Sequence, residues 1–110
     1  MHFNKIIKFE EIESKEIKKN LFRLSAYLEQ KLANFPLSVN IAVEADNFLL
    51  NQIDVTQIEY VIPFKPEEYN LIKDEVDYLI YFIVDNLPIL KSGYIKNDEK
   101  QFYLIFKQEL

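Results

Sequence analysis

The sequence lacks most of the residues on which enzyme chemistry depends. Its 110 residues include no cysteine, one histidine and one glycine. The absence of cysteine excludes disulfide bonds, thiolate metal sites and cysteine nucleophiles. The single histidine, His2, lies beside the first residue, so neither a histidine–carboxylate catalytic pair nor a histidine-rich metal site is expected. One glycine, Gly93, is too few for a glycine-rich phosphate-binding loop.

These absences predict a protein without catalytic activity, cofactor or metal. Paired carboxylates are the remaining option for an enzyme, but carboxylates on a helix surface beside a lysine such as Lys73 are usually solvated. The net charge of −5 and the single arginine, Arg23, argue against direct nucleic-acid binding, because phosphate contacts need clustered cations. The acidity suits either ordinary solubility or a basic protein partner.

Long hydrophobic runs are also missing, although 49% of the residues are hydrophobic and can supply a core. The longest apolar run, residues 78–84, is far shorter than the roughly 20 residues of a membrane span, so no membrane association is expected. The first residues lack the apolar stretch of a secretory signal, and we expect a cytoplasmic protein. The length predicts a single domain over residues 1–110.

Two amphipathic helices are predicted. The second, from Pro66 to Pro88, organises the chain: Pro66 suits the first helical position, and Glu67 and Glu68 favour the positive end of the helix dipole. Its apolar residues recur at three- and four-residue steps: Tyr69, Ile72, Val76, Ile80, Ile83 and Leu87. The first helix is predicted over residues 10–34, with Ser14 as an alternative start. Its apolar stripe has the same spacing: Ile17, Leu21, Leu24, Leu28, Leu32 and Phe35.

Alternating apolar residues predict strands at 2–9, 37–44 and 56–64, and a hairpin of residues 89–95 and 101–107. The first of these is expected at a sheet edge, and residues 45–55 are expected to form a loop. The predicted fold class is α+β in the order (β)-αββ-αββ. Two helices pack on one face of a four- to five-stranded, mainly antiparallel sheet.

An internal αββ repeat is suggested by two similar helix-to-strand junctions. Asn34-Phe35-Pro36-Leu37 and Asn86-Leu87-Pro88-Ile89 lie 52 residues apart. The alternative is that such junctions often contain this pattern and that any two amphipathic helices can be aligned.

The polar side of the second helix is the leading candidate for a functional surface. Three carboxylates and two aromatic rings share that side because they are three, four, seven and eight residues apart: Asp74, Asp77, Tyr78, Tyr81 and Asp85. Tyrosine supplies large contact area at interfaces, and carboxylates around it would steer a basic partner. The alternative is that these rings cover the margin of the core and that the carboxylates are ordinary solvated groups.

Two further surfaces are weaker candidates. Phe48, Leu49 and Leu50 either cap the open end of the core or, if exposed, form a secondary contact loop. A mixed set of residues is predicted on the sheet face away from the helices, where a homodimer could form: Ala42, Val61, Tyr103 and Ile105.

In size, acidity and lack of catalytic groups, the chain resembles bacterial toxin-immunity proteins and phage anti-defence inhibitors, a resemblance of type that no motif carries. It implies a protein-binding inhibitor that blocks a basic partner, such as a toxin or nuclease, through the acidic-aromatic helix face. Two alternatives stay open: a regulatory module that binds a small molecule between sheet and helices, and a self-associating structural or assembly subunit.

Overall fold

The computed structural model describes residues 3–33, 43–98 and 100–110. Within these ranges, five strands form one sheet in the order β1-β2-β3-β5-β4, and every neighbouring pair is antiparallel. The strands are β1 (Ile6–Lys8), β2 (Leu49–Gln52), β3 (Gln57–Phe64), β4 (Leu90–Asp98) and β5 (Gln101–Glu109). The helices are α1 (Lys15–Leu32), α2 (Pro66–Ile72) and α3 (Val76–Asn86). The predicted α+β class and antiparallel sheet are confirmed.

The start of α1 is set by a side-chain cap. The Ser14 hydroxyl oxygen accepts a hydrogen bond from the Ile17 N–H at 3.2 Å, which satisfies a donor that the first helical turn leaves free. The preceding residues, Phe9–Glu11, form a separate 3₁₀ turn. The alternative start at Ser14 is therefore correct, and the start at residue 10 is wrong.

The helix predicted from Pro66 to Pro88 is interrupted. A 3₁₀ turn, Lys73–Glu75, separates α2 from α3. Ile72 and Val76 are both buried on either side of this turn, so the apolar stripe continues across it. The prediction of one continuous helix fails here because a change from four-residue to three-residue hydrogen bonding can leave the apolar spacing unaltered.

The strand predicted at 37–44 falls mostly on residues 37–42, which lie outside the described residues, and Val43 and Glu44 belong to no strand. The prediction of a loop over 45–55 is wrong, because β2 lies within it. Periodicity missed β2 because this four-residue strand does not alternate: Leu49 and Leu50 are adjacent apolar residues. Its pairing with β1 on one side and β3 on the other defines it.

Two helical segments, α1 and the pair α2–α3, pack on one face of the sheet, as predicted. The helix-facing residues of β3 and β5 are at most 2% exposed: Ile58, Tyr60, Ile62, Phe64, Leu104 and Phe106. They form one apolar cluster with the buried residues of α1 and α3, among them Leu28 and Ile83. Burial of this apolar surface is the main favourable term in folding.

The internal repeat is not confirmed. Its first junction, residues 34–37, lies outside the described residues. At the same 52-residue offset, β4 (Leu90–Asp98) would correspond to residues 38–46, most of which also lie outside the described residues.

Candidate functional site

The five predicted contact residues are brought together on the outside of the second helical segment. Asp77, Tyr78, Tyr81 and Asp85 lie in α3, and Asp74 lies one turn earlier in the 3₁₀ turn. All five are exposed, Tyr78 by 55% and Tyr81 by 69%. We call these five residues the α3 surface. The opposite side of α3 is anchored in the core by Leu79 and Ile83, which are at most 1% exposed.

The charge around the α3 surface is strongly one-sided. Residues 66–86 contain six carboxylates and one cation, Lys73. Three of those carboxylates belong to the surface itself. Such a cluster presents a negative potential to approaching molecules, which favours a positively charged partner.

The two tyrosines of the α3 surface have different surroundings. The Lys31 ammonium of α1 donates a hydrogen bond to the Tyr78 hydroxyl at 3.1 Å and lies 4.8 Å from the centre of its ring. The same ammonium lies 4.3 Å from the ring centre of Phe82. Tyr78 is therefore tied to α1 by a cation–π contact, while Tyr81 projects further from the protein.

Lys31 is a residue of this site that sequence reasoning missed. It lies 47 residues from Tyr78, on another helix, and no spacing rule connects them. The contact places one positive charge at the α1 edge of an otherwise acidic surface. Tyr81, with Asp77 and Asp85 one turn away on either side, is consequently the centre of the exposed acidic-aromatic region.

Two of the three secondary contact residues, Phe48 and Leu50, are buried. Phe48 is 1% exposed and Leu50 is 4% exposed, and both belong to the apolar cluster under the helices. Leu49 points to the other face of β2, where it is half-buried. In the free protein, Phe48 and Leu50 therefore act as core residues.

The outer face of the sheet, opposite the helices, is buried at its centre. Val61 and Ile105 lie there as cross-strand neighbours, and both are 0% exposed. Phe3 of the N-terminal segment packs edge-to-face against Tyr103 at 5.3 Å between ring centres. Ala42, which was predicted on this face, lies outside the described residues.

A buried polar group occupies the same outer face. Glu59 is 6% exposed and accepts hydrogen bonds from the Asn51 amide at 2.8 Å and the Tyr94 hydroxyl at 2.5 Å. Asn51 in turn accepts from the Lys5 N–H at 3.1 Å. We call Asn51, Glu59 and Tyr94 the outer-face cluster. Burial and then the bond to Glu59 raise the pKa of Tyr94, because both favour the neutral phenol.

A second polar chain crosses the core beneath α1. The Asn20 amide donates to the Tyr60 hydroxyl at 3.2 Å, and that hydroxyl donates to the Gln108 side chain. Burial raises the pKa of Tyr60. Asn20 Oδ1 is buried without a hydrogen-bond partner among the described residues. Asn20 lies three residues after Ile17 and four before Leu24, which places it beside the apolar stripe, and this spacing could have indicated a buried polar residue.

Among residues 3–33, 43–98 and 100–110, no group of three or more histidine, cysteine, aspartate or glutamate side chains could hold a metal ion. No helix in the same ranges is long and apolar enough to cross a bilayer.

Comparison of the chain with known protein families, with curated proteins and with solved structures gives no match. The α3 surface must therefore be interpreted from its own chemistry.

Proposed function

We propose that this chain is a protein-binding inhibitor, of the toxin-immunity or phage anti-defence type, that blocks a basic site on a partner such as a toxin or nuclease. The supporting observation is the exposure of Tyr81 between two carboxylates. Its side chain is 69% exposed, and Asp77 and Asp85 lie one helical turn before and after it. A tyrosine offers a large, rigid contact area whose hydroxyl can still hydrogen-bond when buried.

The proposal gives the ring and the carboxylates different tasks. Tyr81 is the anchor, because exposed aromatic residues at the centre of an interface contribute most of its binding energy. Asp74, Asp77 and Asp85 act at longer range and attract the partner's cations before contact. Tyr78, already bound to Lys31, is a pre-ordered margin of the interface.

Two substitutions test this division of tasks. The partner is first captured from extracts of the source cells with the tagged wild-type protein and then purified. We expect Asp77→Lys to slow association and to weaken its dependence on salt concentration. We expect Tyr81→Ala to accelerate dissociation and to weaken binding by about 2 kcal/mol, roughly 30-fold in Kd. Surface plasmon resonance at several salt concentrations measures both rates.

Matched controls separate these effects from changes in folding or net charge. Asp46→Lys makes the same charge change at an exposed position in the 3₁₀ turn Ala45–Asn47, outside α1, α2 and α3, and should bind like wild type. Tyr81→Phe retains the ring and should keep most of the affinity. If Asp77→Lys and Tyr81→Ala both bind the purified partner with wild-type rates, the α3 surface is a solvated surface and the proposal is wrong.

A further inference from the structure

The outer side of α1 has the opposite charge to the α3 surface. Lys15, Lys19 and Arg23 follow one another at four-residue steps and are all exposed. With Lys18, Phe22 and Ala26 they line a shallow groove of about 500 Å³. We call Lys15, Lys18, Lys19, Phe22 and Arg23 the α1 surface. The α1 surface combines four cations with one aromatic ring, the side chains that would bind an acidic segment. It does so in a protein whose net charge is −5.

The aromatic ring of the α1 surface is held in place although it is exposed. Phe22 is 58% exposed, and Phe9 contacts it edge-to-face with ring centres 5.5 Å apart. The Lys18 ammonium lies 5.2 Å from the centre of the Phe9 ring. Phe22 therefore has a preferred orientation before any partner arrives, which lowers the entropy cost of binding to it.

The two surfaces belong to neighbouring helices. Tyr27 of α1 contacts Phe82 of α3 edge-to-face at 5.9 Å, and Lys31 contacts Tyr78 one turn further on. As the residue number rises along α1 it falls along α3, so the helices are antiparallel. Both have their apolar sides on the sheet, and their polar sides consequently face away from it.

We propose that the α1 surface is a docking site for the α3 surface of a second copy of this chain, and that two such contacts form a closed dimer. In this dimer the helical layers of the two copies face each other across a two-fold axis. The operation that places one α1 surface on the second copy's α3 surface also places the second α1 surface on the first α3 surface. The assembly therefore closes at two copies, with two identical contacts between opposite charges.

The positions of the two surfaces constrain the dimer further. Lys19 precedes Tyr27 by eight residues, which puts it about 12 Å along α1 from the level of Phe82. The α1 surface and the α3 surface of one copy are therefore displaced from each other along the antiparallel helices α1 and α3. A two-fold axis that brings them together makes the facing helices cross rather than run side by side.

A second copy fits this groove better than an extended polyanion does. A nucleic acid carries charge far beyond the groove and would meet the repulsion of the whole acidic protein. The α3 surface is a short acidic segment with an exposed ring. The net charges of two copies also repel, but at physiological ionic strength the Debye length of about 8 Å screens this repulsion more than the direct contacts.

The dimer would cover the α3 surface, so a foreign basic partner would compete with the second copy. This consequence rests on the proposed function, whereas the dimer itself does not. Binding of the partner would then depend on the concentration of the inhibitor, since only the monomer presents the α3 surface.

Charge reversal in both surfaces tests the dimer. Sedimentation velocity across a concentration series should show wild type passing from one to two copies, and about 1 M salt, where the Debye length is about 3 Å, should favour the monomer. Lys19→Glu and Asp77→Lys should each weaken the dimer roughly tenfold or more, because each puts like charges into both contacts. Circular dichroism checks that both variants are folded.

The mixture of the two variants is the decisive sample. In the heterodimer, Glu at position 19 of one copy faces Lys at position 77 of the other, and the second contact is the wild-type one. We therefore expect equimolar Lys19→Glu and Asp77→Lys proteins to form a 1:1 dimer with an affinity close to that of wild type. Lys91→Glu, which changes an exposed lysine of β4 by the same charge, should dimerise like wild type.

Four results would overturn the proposal: a wild-type protein that stays monomeric up to its solubility limit, masses above two copies, a dimer that tolerates both reversals, or a mixture that stays monomeric. The proposed function is judged separately. The Lys19→Glu monomer retains an intact α3 surface and should bind the purified partner at least as well as wild type. Asp77→Lys changes the α3 surface and should bind the partner more slowly than wild type.

Discussion

Leu104 and Ile105 are neighbours in β5, and both are 0% exposed, but they lie on opposite faces of the sheet. Leu104 faces the helices and joins the large apolar cluster that they cover. Ile105 faces outward, between Val61 of β3 and Tyr94 of β4. The two faces are thus equally inaccessible to solvent at this point, although the helices of the described residues cover only one of them.

The faces differ in the chemistry that closes them. The helix-covered face is closed by side chains of α1, α2 and α3 packed on apolar strand residues. On the outer face, Glu59 is buried with its carboxylate hydrogen-bonded, and the N-terminal segment contributes Phe3 and the Lys5 N–H. Burial alone therefore does not identify the core of this protein. The outer face depends on polar contacts that must all be made together, since an unpaired buried polar group is costly.

The largest expected effect compares the neighbours directly. We expect Leu104→Ala to lower the free energy of unfolding by about 3–5 kcal/mol and Ile105→Ala by about 2 kcal/mol. The cost of a deleted side chain grows with the cavity that remains, and the helical layer can collapse less than the side chains that cover the outer face. Urea denaturation at neutral pH measures both values. Equal losses would mean that the two faces are packed alike.

A second comparison uses the neighbours Ser92 and Gly93 in β4. A Cβ atom at Gly93 would lie 2.8 Å from Ile80 Cγ2 and 2.8 Å from Phe106 Cε1, so α3 approaches the strand too closely for a side chain. We expect Gly93→Ala to cost about 1–3 kcal/mol through overpacking.

Ser92 is exposed, and Ser92→Ala should change stability by less than about 0.5 kcal/mol in thermal or urea unfolding. A neutral or stabilising Gly93→Ala would show that Ile80 can move, and that α3 is held less firmly on the sheet than its buried residues indicate.

The helix-covered face was largely predictable from the sequence. The three- and four-residue spacing of Leu21, Leu24 and Leu28 and the alternation in β3 place the right residues inward. The same periodicity identified the exposed side of α3, including Tyr81. These predictions succeed because each depends only on the direction of side chains within one helix or strand.

The outer face and the edge of the α3 surface were not predictable in this way. Glu59 lies on the face away from the helices, and nothing in the alternation of β3 predicts its burial. Its burial depends on Tyr94, 35 residues away, and on Asn51 of β2, a strand that the alternation did not reveal. The contact between Lys31 and Tyr78 joins different helices. Such contacts follow from the tertiary arrangement, about which periodicity within one segment contains no information.

The smallest expected effect concerns the hydroxyl of Tyr94. Tyr94→Phe keeps the ring but removes one of the two side chains that, among the described residues, donate to the Glu59 carboxylate. We expect a loss of about 1 kcal/mol at neutral pH, below the usual range for a hydrogen bond to a charged group because Tyr94 is partly exposed. The exposed Tyr81→Phe is the matched control and should unfold like wild type.

The pH dependence of this loss tests whether the folded protein holds the Tyr94 hydroxyl in its neutral form, through burial and the bond to Glu59. The pKa of Tyr94 is raised above its ordinary value of 10.0 in the folded protein, so the folded state holds this proton more tightly than the unfolded state. The contribution of the hydroxyl is therefore complete below pH 10 and declines as the pH rises above 10 toward the folded-state pKa. The difference in unfolding free energy between wild type and Tyr94→Phe should be constant from neutral pH to about pH 9 and should shrink above pH 10. A hydroxyl that is neither buried nor hydrogen-bonded would keep its ordinary pKa in the folded protein, and the difference would then be the same at every pH. In that case the outer face would be closed by apolar contact, like the helix-covered face, and the chemical contrast between the two faces would not hold.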